Sequence, residues 1–164
     1  MAEVKILDNF IFRKADIKDL KDIRRLDQEL FKKEYREFDK SLDLNWEGRE
    51  GGKYFKKRIL SKNNFVEVVE SGNKIIGYLC GGLSKGLYYR KKARYAELEN
   101  MLIEEKFRGG GLGTKLAKDF IDWCVNKKID YVNVSASAEN KPSVGFYRSL
   151  GFKDCDLILR IKLS

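Results

Sequence analysis

Arg108-Gly109-Gly110-Gly111-Leu112-Gly113-Thr114 sets four glycines in five positions directly ahead of a helical pattern. Glycine loses the most conformational freedom on ordering, so a helix that begins this way is weakened unless its backbone has a task. A helix N-terminus presents free N–H groups at the positive end of the helix dipole, and glycine lets a ligand approach them closely. The chemistry implied is capture of a phosphate or pyrophosphate. Two further sets of capable side chains flank the stretch: Glu97 and Glu99 before it, Asn140 and Tyr147 after it. The chain has no histidine. That excludes Ser-His and Cys-His nucleophilic pairs and the common zinc sites, and no metal is expected. Acid and base steps must come from Glu, Asp, Lys, Tyr, Cys or water.

Three phosphate-loop patterns can be tested against these letters. The mononucleotide loop ends in Gly-Lys-Ser/Thr, whereas here the order is Gly113-Thr114-Lys115. The dinucleotide pattern GxGxxG fails in both registers, because Thr114 or Leu116 stands where the third glycine belongs. Arg/Gln-x-x-Gly-x-Gly/Ala is satisfied by Arg108, Gly111 and Gly113, after a strand-like run and before a helix. Downstream, Asn140-Lys141-Pro142-Ser143-Val144-Gly145-Phe146-Tyr147 leads through a short helix to Leu150-Gly151-Phe152. Together the two motifs resemble the acetyl-CoA signatures of the GNAT superfamily of N-acetyltransferases.

That resemblance implies an α/β (α+β) GNAT fold in one domain over 1–164, with a mixed sheet of six or seven strands. Two adjacent parallel strands, 94–103 and 130–136, would be splayed apart. It also implies an enzyme that moves the acetyl group of acetyl-CoA to a primary amine. Main-chain groups of Met101, Leu102 and Ile103 would take the pantetheine arm. Arg108, Gly109, Gly110, Gly111, Leu112, Gly113 and Thr114 would hold the pyrophosphate, with Lys115 and Lys118 adding positive charge. Asn140 would contact the CoA backbone, and Tyr147 would face the sulfur and protonate the departing thiolate. Strand period two sets Glu97, Glu99, Met101 and Ile103 on one face, so either glutamate is a candidate general base. Glu99 lies closer to the expected thioester. Relatives that modify protein N-termini carry a glutamate five positions before the helix asparagine; Ser135 stands there, which weakens that reading.

The elements that must position these residues follow from periodicity. Residues 9–14 suggest a strand, and Asp16 is a plausible N-cap for a helix with Ile17, Leu20, Ile23, Leu26 and Leu30 on one side. A loop and shorter helix occupy 47–60. Strands at 64–70 and 74–83 are joined by a turn at Ser71-Gly72-Asn73. Leu112, Leu116, Ala117, Phe120, Ile121 and Cys124 repeat at helical spacing. LILRIKL, 157–163, reads as a last strand.

Composition bounds the rest. The formal charge of +9 favours an anionic partner, and the start MAEVKILDNFIFRK has no apolar run of leader or membrane-span length, so a cytoplasmic location is expected. Cys80, Cys124 and Cys155 form no CxxC pair and read as small apolar residues. The acceptor site would be framed by the N-terminal helices, where Asp39, Asp43, Glu47 and Glu50 interleave with Tyr35, Phe38 and Trp46. The acceptor stays open among polyamine, aminoglycoside-like amine, amino acid and protein amine, and the protein is compatible with a monomer or a homodimer. Two readings compete: a non-catalytic acyl-CoA-binding regulatory domain, and a basic nucleic-acid-binding domain using LYYRKKARY, 87–95. The second leaves Arg108 and Asn140 unexplained.

Overall fold

The computed structural model describes residues 9–163. Residues 1–8, on which part of the N-terminal leader reading falls, lie outside the described residues. In chain order the elements are β1 (Phe10–Lys14), a 3-10 turn (Ile17–Asp19), α1 (Leu20–Glu37), a π-helical turn (Glu47–Gly51) and α2 (Gly52–Leu60). The strands β2 (Asn64–Ser71), β3 (Lys74–Ser84) and β4 (Tyr95–Ile103) follow, then α3 (Leu112–Asn126), β5 (Tyr131–Val134) and α4 (Lys141–Ser149). The capping reading holds at the first turn: Asp16 accepts from the Lys18 amide, and Asp19 accepts from the Asp16 amide at 2.7 Å.

The strands form one sheet in the order β1-β2-β3-β4-β5, antiparallel except for the parallel pair β4–β5. On one face Ile23 and Leu26 of α1 and Phe55 and Ile59 of α2 pack on Val66, Val68, Tyr78 and Leu102. On the other, Leu112, Leu116, Ala117 and Phe120 of α3 pack on Val69, Leu79, Ala96 and Leu98. Covered on both faces, β3 is buried almost throughout, which is why its sequence runs apolar instead of alternating.

One irregularity in β4 decides which side chains meet. Asn100 pairs with Cys80 but Leu98 pairs with Gly81, so Glu99 is an extra residue on its strand. A one-residue bulge shifts the alternation of faces. Ala96 and Leu98 before it, and Met101 and Ile103 after it, pack with α3, while Leu102 faces α1 and α2. The expectation that Glu97, Glu99, Met101 and Ile103 share one face is therefore corrected: the glutamates look toward α2. Gly81 permits the close approach here, since a Cβ on it would lie 2.6 Å from the Glu97 carbonyl oxygen and 2.8 Å from the Phe120 ring.

Two other expectations are corrected. The sheet has five strands among the described residues, not six or seven, because 157–163 joins no ladder. Cys80 and Cys124 are buried apolar residues as read, but Cys155 is exposed. No helix among the described residues is long and apolar enough to cross a membrane.

A buried acid on α1 gives a direct test of the packing. Asp27 is fully buried, with Oδ1 accepting from the Tyr78 hydroxyl at 2.9 Å and Oδ2 without a partner among the described residues. Burial pushes its pKa up to about 6. The folded chain thus holds this proton more tightly than the unfolded one, so stability falls as pH rises from the ordinary aspartate range to about 6. Asp27→Asn keeps the acceptor for Tyr78 and removes that slope. Urea unfolding should show the variant gaining about 2–3 kcal/mol on wild type between about pH 4 and about pH 8. Parallel pH profiles would show that Asp27 is charged in the folded state at both ends.

Candidate active site

The parallel pair β4–β5 is joined only over Tyr95–Leu98 and Tyr131–Val134. Beyond Leu98 the two strands part, as expected from the resemblance. The bulge at Glu99 falls where they separate, consistent with the extra twist a bulge imposes. From Met101 to Ile103 the backbone keeps β3 on one side and has no strand on the other among the described residues. A main-chain edge without a strand partner is the result.

At the end of β4 the chain turns toward α3. The Arg108 Nε donates to the Ile103 carbonyl at 2.7 Å and ties the loop to the strand end, leaving both terminal nitrogens without a bond among the described residues. Gly109 (φ 80°) and Gly111 (φ 83°) are left-handed, a conformation that L side chains rarely adopt. Gly111 caps α3 without any side-chain cap, so the first amides of the helix have no intrahelical acceptor. Free backbone N–H groups, the positive end of the helix dipole and Arg108 thus occur within one short loop. Lys115 is committed elsewhere, pairing with Asp119 and lying 5.1 Å over the Phe12 ring; Lys118 is exposed.

The far wall is α4. Asn140 is buried and each end of its amide makes one bond: Oδ1 accepts from the Ser143 amide at 3.2 Å, and Nδ2 donates to Glu34 of α1 at 3.0 Å. Tyr147 packs edge-on between Phe146 and Phe152, with ring centroids at 5.2 and 5.8 Å. Its hydroxyl makes no hydrogen bond among the described residues. Burial, with the Glu34 charge adding to it, pushes the phenol up to about 12, so it is neutral at physiological pH. Glu34 is itself raised by burial, which the Asn140 bond partly offsets.

The two glutamates of β4 differ sharply. Glu99 pairs with Arg58 of α2 at 2.6 Å and accepts from the Tyr54 hydroxyl. Glu97 has no ion pair or hydrogen bond among the described residues, and its pKa is raised by burial and then by the Glu99 charge, with Arg58 opposing. Above them Tyr54 stands edge-on to Trp46 (5.5 Å), which stacks on Phe31 (5.3 Å). One carboxylate is locked against the aromatic row through Tyr54, and the other is free.

Residues 20–152 match the model of the acetyltransferase (GNAT) family. The chain belongs to that family. It is 25% identical over 162 residues to an uncharacterized N-acetyltransferase of Methanocaldococcus jannaschii, covering 96% of this chain and 67% of that one. It is 30% identical over 83 residues to the thialysine N-epsilon-acetyltransferase of Mus musculus, a match covering 51% of this chain and about half, 47%, of the relative. Its fold is also that of a predicted acetyltransferase of Clostridium acetobutylicum solved with acetyl-CoA: TM-score 0.73, 23% identity, 94% of this chain and 96% of the other.

Within this GNAT chain the acids of 34–50 are mostly neutralised at home. Asp39 meets Arg160 at 3.3 Å, Asp43 pairs with Arg49, and buried Glu47 pairs with Arg24. Only the aromatic part of that expectation, through Trp46, reaches toward β4. Glu34, Tyr54 and Arg58 were not singled out by sequence. For Glu34 a signal existed: it lies four and eight residues after Leu30 and Leu26, so a charge falls on the core-facing stripe. The basic stretch 87–95 lies mostly in an exposed loop, with Tyr88 97% exposed and Arg90 bonded to Asp156.

Proposed function

We propose that this chain transfers the acetyl group of acetyl-CoA to a primary amine, by direct attack of the amine on the thioester within a ternary complex. One arrangement carries the reading: the uncapped N-terminus of α3 behind Gly109 and Gly111, following directly on Met101–Ile103, whose main chain pairs with β3 on one edge and with no strand on the other among the described residues. These residues fit a pantetheine arm followed by a pyrophosphate. Arg108, the glycine loop and the amides of Leu112 to Thr114 take the anionic end; the main chain of Met101, Leu102 and Ile103 takes the amide-bearing arm. Asn140 makes one bond with each end of its amide, so its part is to set α4, and with it Tyr147, against α1.

An alkylammonium with pKa near 10.4 must lose a proton before it attacks. Glu97 is the group assigned to take it, directly or through one water, because it is free and its basicity is raised. Glu99, Arg58 and Tyr54 hold the shape of the site beside it. Once nitrogen has bonded to the acyl carbon it gives up its second proton to water, and as the carbon–sulfur bond breaks the Tyr147 phenol gives its proton to the thiolate. Free carboxylate and aromatic row together favour a cationic aliphatic amine on a small molecule or peptide. A lysine-like amine is the first to try, since a mammalian relative is named for thialysine.

The decisive experiment is thiol release from acetyl-CoA across lysine-like amines, polyamines, aminoglycosides and peptide amines, alongside acetyl-CoA binding by thermal shift. Release with at least one primary amine is expected. Tight binding without release to any amine would favour an acyl-CoA sensor, and no binding at all would remove the reading. Gly111→Val should weaken acetyl-CoA binding about tenfold or more, since a β-branched side chain at positive φ forces the cradle open. Nothing lies within 4 Å of a Cβ at Gly111, so the fold should survive and calorimetry can read the affinity directly.

A further inference from the structure

The basic loop between β3 and β4 belongs to neither core and not to the glycine cradle, yet it stands at one end of the site. Gly82 pairs with Glu97 and Ser84 with Tyr95, so the chain leaves the sheet at Ser84 and returns two residues from Glu97. That is about 7 Å along a strand. The return end is fixed. The Arg94 amide donates to Asp130 at 2.7 Å, and its carbonyl accepts from the amides of Asp130 and Tyr131 at 2.9 and 3.2 Å. Tyr95 and Tyr131 stack at the starts of β4 and β5, 5.3 Å apart. The glycine loop follows the opposite end of β4, beyond Ile103. With acetyl-CoA along Met101–Ile103, the end of β4 left for an acceptor is the one that carries the basic loop.

Lys85, Arg90, Lys91, Lys92 and Arg94 fall in a stretch, 85–94, that contains no acid. Of these cations only Arg90 has an ion pair among the described residues, and its partner is a carboxylate: Nη2 donates to both Asp156 oxygens, at 3.0 and 2.8 Å. Tyr88 is 97% and Tyr89 66% exposed, edge-to-face at 5.3 Å, with the Arg90 guanidinium 5.7 Å from the Tyr89 ring centroid. Leu87 beside them is exposed as well. Tyrosine and arginine are the side chains that interfaces favour, and here no core needs them.

We propose that residues 85–94 dock an acidic stretch of the protein or peptide that bears the acceptor amine. The inference rests on the transfer reading above and deepens it: the acceptor is a lysine with aspartate or glutamate on its flanks. One substrate has to bring two chemistries, an aliphatic amine to Glu97 and anions to the loop. A nucleic acid supplies the anions but no aliphatic amine. A polyamine or an aminoglycoside supplies the amine and is repelled by the loop. An acidic peptide supplies both, and the tyrosine rings give its main chain and aliphatic stems a surface to lie on. Attraction to the unpaired cations also speeds encounter, an effect that salt screens.

Three amines test the proposal: a terminally blocked peptide whose one lysine is flanked by Asp and Glu, the same peptide with Asn and Gln, and lysine amide. The acid-flanked peptide should show a KM about tenfold or more below its neutral counterpart, and added salt should narrow the gap. Lys91→Glu/Lys92→Glu should close the gap while lysine amide turnover and acetyl-CoA affinity stay unchanged. Both side chains are exposed, so the fold should be unaffected. Equal KM values for the two peptides, or a gap that survives the double variant, overturn the proposal. So does a single-stranded RNA that binds more tightly than the acid-flanked peptide and loses its binding in the double variant, since the surface then belongs to nucleic acid. If no amine is acetylated, fluorescence anisotropy of the labelled peptides decides. A preference for acid flanks that the double variant abolishes keeps the docking surface and drops the transfer reading; no preference overturns the surface too.

Discussion

Glu97→Gln is expected to lower kcat roughly 100- to 1,000-fold while leaving acetyl-CoA affinity unchanged. The substitution keeps size and removes only the ability to accept a proton. Burial and the neighbouring Glu99 charge both favour the protonated form of Glu97, and Arg58 alone opposes them. The wild-type rate should therefore rise with pH as Glu97 ionises, above the ordinary glutamate range. The Gln variant should lack that acidic limb. Glu99→Gln is the control: it breaks the ion pair with Arg58 that ties α2 to β4, so its effect should appear chiefly as lost stability. Should Glu99→Gln abolish the limb and Glu97→Gln retain it, the two assignments must be exchanged.

The reason sequence alone could not choose between these glutamates is local. Alternation along β4 gives a face to each residue only if the ladder is regular, and the bulge at Glu99 leaves no mark in the letters of its own strand. The one trace is in the neighbouring strand, where Gly81 and Gly82 interrupt an apolar run. Glycines at such a place signal a close backbone approach, but they do not say which residue is extra. Pairing of Glu99 with Tyr54 and Arg58 spans more than forty residues and follows only once α2 is docked. The partners of the acids of 34–50 were illegible for a similar reason: Arg24, Arg49 and Arg160 are set by tertiary placement, not by spacing.

What was legible came from backbone demands that leave a signature. The glycines at 109 and 111 are where φ is positive, and the splay appears between the two strands the motifs named. Helical spacing located α1 and α3 because each has to bury one stripe, and the downstream motif located α4. The run at 157–163 alternates like a strand, yet it joins no ladder among the described residues, because a strand pattern does not name a partner strand.

Tyr147→Phe should lower kcat about 10- to 100-fold and leave acetyl-CoA affinity within error. Phenylalanine preserves the edge-on packing against Phe146 and Phe152, so the aromatic cluster loses only a hydroxyl. That hydroxyl makes no hydrogen bond among the described residues, and it is held protonated by burial and by Glu34, with a pKa pushed up to about 12. A group kept neutral in this way can donate at every physiological pH, and it contributes no alkaline limb below about pH 11. An alkaline fall in wild-type activity at lower pH must therefore have another source, and it should persist in the Phe variant. The proton given to the thiolate is recovered from solvent after the products leave, so the loss should appear in kcat and not in the KM for the amine. Unchanged turnover would make Tyr147 a packing residue of α4, with water as the thiolate's proton source.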